Sequence, residues 1–382
     1  ELHKRIALNI IRVAGTNQRQ ILLGFILATG GLSMWISNTA TVIMLVPIVL
    51  SLAASSTFEG EDKKNFTLMA LLGTAWAASI GGLGTPVGTP PNLLIIGFLE
   101  EQGDFRFTFG RWMMFGIPAV IVMLPAAFFV LTKLGPKVNT KSDVNAPAMF
   151  AKKLAALGKT TVPERRVMIV FCCIAFFWIF RRAFIQDLSL FGHRPFAGLS
   201  DSLIAVAGVI ALFAIPSGST AEPGTRLLDW PTAATIPWDI LLLFGGGLSL
   251  AAIIKITGLS EWLGAELAFV ALLPTVVTTL ILVTVVIFLT ELTSNTATVA
   301  AIMPVIGAIA LEAGVDAAAL AVPIALAASC AFMLPMATGP NAVIFGSGKV
   351  SMAQMSRYGF KLNLIGVVLI TGLASVLAGI VL

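Results

Sequence analysis

The chain has 382 residues, 57% of them hydrophobic and only 11% charged, with a formal net charge of +5. That balance excludes a water-soluble surface and leaves lipid as the solvent. The positive excess includes no basic helix and no Lys/Arg stripe interleaved with aromatics, so a nucleic-acid partner is excluded and loop topology accounts for the charge.

The chain opens on a charged amphipathic stretch, Glu1 to Arg19, with no secretory signal and cleavage site. Apolar stretches then follow at residues 20–36, 112–132, 167–180, 202–215, 239–254, 265–290 and 360–382. Several reach the roughly 17–25 residues that cross a bilayer, and their all-round apolar character without alternation predicts helices, not a barrel. The fold class is an all-α polytopic membrane protein. Most of the 24 Lys and Arg fall in residues 1–20, 57–66, 133–166, 217–238 and 349–361, which places those segments in the cytoplasm. Arg106, Arg111, Arg181, Arg182, Arg194 and Lys255 then lie outside, and the pair Arg181 and Arg182 fits that orientation least well.

Within this frame one pattern occurs twice. Ser37-Asn38-Thr39-Ala40-Thr41-Val42 is matched by Ser294-Asn295-Thr296-Ala297-Thr298-Val299, each followed by a proline, Pro47 and Pro304. Downstream, Gly88-Thr89-Pro90-Pro91-Asn92 is matched by Thr338-Gly339-Pro340-Asn341. The distance from Asn92 to Lys133 equals that from Asn341 to the last residue. This predicts two inverted-topology repeats, each with a re-entrant helical hairpin and a broken transmembrane helix. The first repeat covers 1–133, with a hairpin at 20–56 and a broken helix at 66–99. A cytoplasmic linker, basic and proline-containing, covers 134–166. The second repeat covers 167–382, with a hairpin at 276–311, a broken helix at 318–348 and a last helix at 360–382. The first repeat reaches its motif much sooner than the second, so roughly 90–100 residues, or about three helices, are expected before Glu1 if the halves are equivalent.

Each Ser-Asn-Thr interrupts an apolar run with residues that favour caps and turns, which predicts a hairpin tip packed in protein or lining a wet cavity. Ser37 and Thr39, like Ser294 and Thr296, are expected to cap the helix that follows and to aim its positive dipole end at the cavity, where anions bind. The Gly/Pro breaks at 81–92 and 337–341 add further dipole ends and exposed carbonyls. Asn38 and Asn295 carry both an acceptor and a donor and could bridge a cation and an anion. No Lys, Arg or His lies in either motif, so a bound dianion needs cations for compensation. Oxygen-only ligands without a carboxylate favour a monovalent ion such as Na⁺ over Ca²⁺.

Other residues have plainer readings. Gly30, Gly31, Gly81, Gly82 and Gly245–Gly247 are expected to serve close helix packing. Glu291, beside the second tip, is either a functional intramembrane acid or the structural partner of a nearby hydroxyl. Trp35, Trp76, Trp112, Trp178, Trp230, Trp238 and Trp262 are expected as interfacial anchors. Cys172, Cys173 and Cys330 are expected to be buried and to form neither a disulfide nor a metal site. Only His3 and His193 are available, so no catalytic triad or His-rich metal cluster is expected, and the chain reads as no enzyme.

Together the two Ser-Asn-Thr motifs, Gly-Thr-Pro-Pro-Asn at 88–92 and Thr-Gly-Pro-Asn at 338–341 resemble the divalent anion/sodium symporter family, which includes bacterial dicarboxylate transporters. The resemblance implies a homodimer in the bacterial inner membrane, with a scaffold domain and a mobile transport domain moving as an elevator. It implies symport of succinate, malate or fumarate with Na⁺ and no organic cofactor. The anion would touch Ser37, Asn38, Thr39, Ser294, Asn295, Thr296 and Thr338. One Na⁺ would lie near Ser33, Ser37, Asn38, Gly84 and Gly88, the other near Thr290, Thr293, Asn295 and Ala337. The alternatives are a Na⁺-independent dicarboxylate exchanger or a sulfate transporter of the same architecture, or a non-transporting receptor or structural membrane protein. The last would need no opposed polar hairpins.

Overall fold

The computed structural model describes residues 1–101, 107–136, 143, 145–186, 194, 196–219, 224–259, 262 and 273–381. Among these the regular elements are helices. In the first part they are α1 (Leu2–Ala14), α2 (Gln18–Ser33), α3 (Asn38–Ser55), α4 (Gly60–Gly81), α5 (Pro90–Glu101) and α6 (Phe109–Phe129, continued as a wider turn to Leu134). Then come α7 (Ala146–Ala156), α8 (Val162–Phe180), α9 (Asp201–Ala214), α10 (Trp230–Ala233) and α11 (Trp238–Ile256). The last part holds α12 (Thr275–Leu289), α13 (Asn295–Ala313), α14 (Ala317–Ala328), α15 (Gly339–Gly346) and α16 (Met352–Val381). Five of the described helices are long and apolar enough to cross a membrane.

Local signals set many of the ends. α2 starts in a capping box, with the Asn17 side chain on the Gln20 N–H and Gln20 reaching back, and α8 starts the same way with Thr161 and Glu164. α13 stops at Gly314, whose φ of 62° is left-handed, letting Val315 N donate to Ala310 O at 3.0 Å. Pro47 and Pro304 lie inside α3 and α13 without ending them. Neighbouring helices can satisfy the carbonyls such prolines free.

The core is centred on α4, which is buried at every residue from Phe66 to Gly81 and packs against α2, α3 and α6. The arrangement that positions the site is an exchange between the two halves. α5, from the first half, packs on α13 and α14 of the second; α15, from the second, packs on α3 and α4 of the first. α1 and α7 pack together, and Arg5 donates to the last carbonyls beyond α7, Leu157 O (3.0 Å) and Gly158 O (2.9 Å). The basic stretch 134–166 thus carries a helix and is tied to the base of α3: Asp143 Oδ1 accepts from Thr57 N at 3.3 Å, and Asn145 Nδ2 donates to Ser55 O at 3.1 Å.

Several expectations are corrected. Trp76 and Trp112 are fully buried and are not interfacial anchors. Their indole N–H groups reach loop carbonyls in the core. Cys172 and Cys173 are exposed, because α8 buries little besides Glu164 and Val170; Cys330 is buried. The packing reading holds for Gly81, where a side chain would collide with Gly30 O, but not for Gly31, Gly245 or Gly246, around which nothing lies within 4 Å. Arg181 pairs with Asp201 at 2.9 Å, while His193, Arg106 and the Lys255 side chain lie outside the described residues.

Candidate anion and cation site

α2 gives way to α3 through Ser37, whose backbone (φ −45°, ψ 132°) turns the chain out of the helix; α12 gives way to α13 through Ser294 (φ −65°, ψ 137°). Neither serine makes a side-chain cap, contrary to expectation, and Thr39 and Thr296 lie inside the first turn. The bonding partner is instead the threonine four residues on. Thr41 donates both its N–H and its hydroxyl to Ser37 O at 3.0 Å, and Thr298 does the same to Ser294 O at 2.8 and 3.1 Å. The serine hydroxyls are therefore not consumed in capping, and the first N–H groups of α3 and α13 keep their positive dipole ends.

The broken helices converge on these tips. In the first loop, after the 3-10 turn Gly82–Gly84, Asn92 Nδ2 donates to Gly82 O (2.9 Å) and Thr85 O (2.8 Å), and Trp112 Nε1 donates to Leu83 O (3.0 Å). In the second, Asn341 Nδ2 donates to Ala331 O (3.1 Å) and Leu334 O (3.0 Å), and Trp76 Nε1 donates to Phe332 O (3.2 Å). Carbonyls that a helix would have satisfied are thus held by fixed side chains in a buried place.

Glu291 is buried and accepts from three consecutive N–H groups, Phe332 (2.7 Å), Met333 (2.9 Å) and Leu334 (2.9 Å), and from Asn363 Nδ2 (2.8 Å). Of the two readings of this acid, the structural one stands. Its partners are backbone amides of the second loop and an amide of α16, not a hydroxyl.

Two oxygen clusters lie behind the tips. Around Asn38, with its amide nitrogen turned inward, are Ala78 O (3.1 Å), Gly88 O (3.3 Å) and Ser33 Oγ (2.6 Å). The same amide can turn its oxygen to these partners, which makes the cluster an all-oxygen set. Gly82 lets the chain pass close to this amide: a Cβ there would stand 2.7 Å from the end of the Asn38 side chain, which would have to shift. In the other half, Thr290 Oγ1 lies 2.9 Å from both Asn295 Oδ1 and Ala328 O. These hydroxyl, amide and carbonyl groups are hard, neutral donors of the kind that suits Na⁺. Among the described residues no group of three or more His, Cys, Asp or Glu could hold a metal ion.

Between the tips is a cavity of ≈ 400 Å³. Ser37, Asn38, Thr39, Ser294, Asn295, Thr296 and Thr338 all line it, together with Gly88 and Ala337. Ser33 and Thr290 lie behind it, at the oxygen clusters. Gly84 and Thr293 are not among the residues that line it: Gly84 packs under Met34, and Thr293 bonds to the Thr298 hydroxyl and Leu289 O. The sequence reading missed Ala78 O and Ala328 O, which carry no side-chain signal, and also Val87, Thr89, Pro237 and Ile240, which line the cavity. Thr39 touches the second loop so closely that a side chain at Gly339 would collide with its hydroxyl.

Residues 1–381 match the family described as the sodium:sulfate symporter transmembrane region. The chain belongs to the divalent anion/sodium symporter family. It is 39% identical over 376 residues to the sodium-dependent dicarboxylate transporter SdcS of Staphylococcus saprophyticus, covering 97% of this chain and 71% of that protein. It is 38% identical over 375 residues to the protein of the same name in Staphylococcus aureus strain USA300, with the same coverage. This symporter-family chain is an integral membrane transporter of the plasma membrane, and not an enzyme.

Proposed function

We propose that this family member carries small dicarboxylates such as succinate, malate and fumarate across the membrane together with Na⁺. The observation that carries the reading is the meeting of both Ser-Asn-Thr tips and both broken-helix loops around one cavity whose lining, among the described residues, includes no ionisable side chain. A dianion there has hydroxyls, amides and helix dipole ends of about half a charge each, which leaves charge for bound cations to balance. Ser37, Asn38, Thr39, Ser294, Asn295, Thr296 and Thr338 hold the carboxylates. Ser33, Asn38 and Gly88, with Ala78 O, hold one Na⁺; Thr290 and Asn295, with Ala328 O, hold the other. The printed names of the staphylococcal relatives support both the sodium and the dicarboxylate.

The two halves, 1–133 and 167–382 joined through 134–166, act as inverted repeats with opposed re-entrant hairpins. The equal offsets of Asn92 and Asn341 from the carbonyls they bind support this reading. Packing of α5 and α15 across the halves supports a single transport unit that moves as a body, an elevator, against a scaffold that dimerises. Uptake of labelled succinate into proteoliposomes, with a Na⁺ gradient and with choline in its place, is the test. Uptake that ignores Na⁺ replaces symport with exchange, and sulfate uptake in preference to succinate replaces the substrate.

A further inference from the structure

One wall of the cavity belongs to neither motif. Pro237 and Ile240 reach it from the start of α11, which packs in the seam between α5 and α13. Those are the helices whose first turns frame the cavity at Pro90 and Asn295. The seam is tight at Gly247, where a Cβ would stand 3.1 Å from Ala300 Cβ and 3.6 Å from Leu94 Cδ2. Ile240 precedes Gly247 by two helical turns, on the same face and about 10 Å along the axis. The close approach at Gly247 thus sets where Ile240 stands, half-buried at the cavity wall.

The chemistry of that wall differs from the rest. The tips and loops offer hydroxyls, amides and N–H groups, whereas the Pro237 and Ile240 side chains offer nothing to a hydrogen bond. A ligand seated here must present anionic oxygen to the tips and hydrocarbon to α11. A tetrahedral oxyanion presents oxygen in every direction, and the oxygen facing Ile240 would lose water without gaining a donor. A hydroxyl on the carbon chain meets the same penalty if it points that way.

We infer that Ile240, set by the Gly247 seam, is a specificity-determining residue that reads the bare carbon backbone of a linear dicarboxylate and disfavours sulfate-like oxyanions. The inference rests on the transport reading above and names the feature that selects within it.

The test is competition against labelled succinate uptake, driven by Na⁺, in proteoliposomes of the full chain and its variants, with unlabelled succinate, malate and sulfate as competitors. Ile240→Ala should weaken succinate on the order of 10-fold, the scale for lost methylenes in an apolar pocket. The factor by which Na⁺ raises succinate affinity should stay unchanged. Ile240→Ser should improve malate and sulfate relative to succinate. Gly247→Val, which pushes α11 off the seam without entering the cavity, should lose selectivity in the same direction. Should the serine variant fail to insert, Ile240→Val and Ile240→Ala decide by a graded loss. Competition ratios unchanged in Ile240→Ala and Ile240→Val, with the unsubstituted chain transporting succinate, overturn the inference and leave the transport reading standing. No Na⁺-driven succinate uptake by the unsubstituted chain overturns both.

Discussion

In the first half Asn92 gathers the carbonyls of Gly82 and Thr85 while Trp112 takes that of Leu83; in the second Asn341 gathers those of Ala331 and Leu334 while Trp76 takes that of Phe332. Each asparagine binds at the same two offsets, and each indole takes the carbonyl between them. The fastening of the N–H side is different. The second loop closes three amides on Glu291, which Asn363 braces from α16. The matching place four residues before Asn38 is held by Met34, which lies against Gly84 and whose carbonyl accepts from Thr85 Oγ1 at 2.5 Å. One loop is thus pinned by a buried carboxyl group with four donors, the other by packing and a single hydroxyl. In both halves the asparagine supplies two donors from one short side chain, enough to answer two divergent carbonyls. The duplication does not preserve the clamp, which depends on a third helix.

The largest test of this difference is Glu291→Ala, which leaves three backbone amides, that of Phe332 buried and those of Met333 and Leu334 partly so, and Asn363 without this partner, at about 1–3 kcal/mol for each buried group. We expect loss of the folded transporter in detergent, followed by thermal unfolding or size-exclusion chromatography, whereas Met34→Leu at the matching position should cost under about 1.5 kcal/mol. Equal effects at the two positions would erase the comparison.

Next come Asn38→Ala and Asn295→Ala. Each should weaken Na⁺ and succinate binding together, by about 1–3 kcal/mol, because one side chain serves both ligands and linkage requires the two couplings to be equal. Titration of succinate at several Na⁺ concentrations measures both, and an affinity indifferent to replacing Na⁺ by choline would remove the charge-compensation argument. Gly82→Ala should act on the Asn38 cluster alone, raising the Na⁺ needed for half-maximal uptake, while Gly31→Ala, with open space around it, should leave uptake unchanged.

Trp76→Phe and Trp112→Phe keep the ring and remove one N–H from equivalent carbonyls, so each should cost about 1–3 kcal/mol and the two should agree in thermal unfolding. A large inequality would show that the loops differ on the carbonyl side too. The smallest effect lies on α8: Cys172→Ala and Cys173→Ala, on its open face, should each shift thermal unfolding by under about 0.5 kcal/mol, with uptake preserved.

Composition alone determined that this chain lives in lipid and is helical, because hydrocarbon tolerates no unsatisfied backbone. The repeated Ser-Asn-Thr and the Gly/Pro breaks with their asparagines marked the residues that gather at the cavity, since polar and helix-breaking residues inside apolar runs need a local reason. What the sequence could not carry is whatever depends on elements distant in the chain. Ala78 O and Ala328 O are backbone atoms under a residue type that says nothing about them. Trp76 and Trp112 look like anchors until the fold brings a bare carbonyl to each indole. Glu291 was legible as an acid in the membrane, but its role was decided by the loop 332–334 and by Asn363, which only tertiary packing brings within hydrogen-bond reach. Ile240 carries no motif, and its place at the cavity follows from a glycine two turns away that lets three helices approach closely.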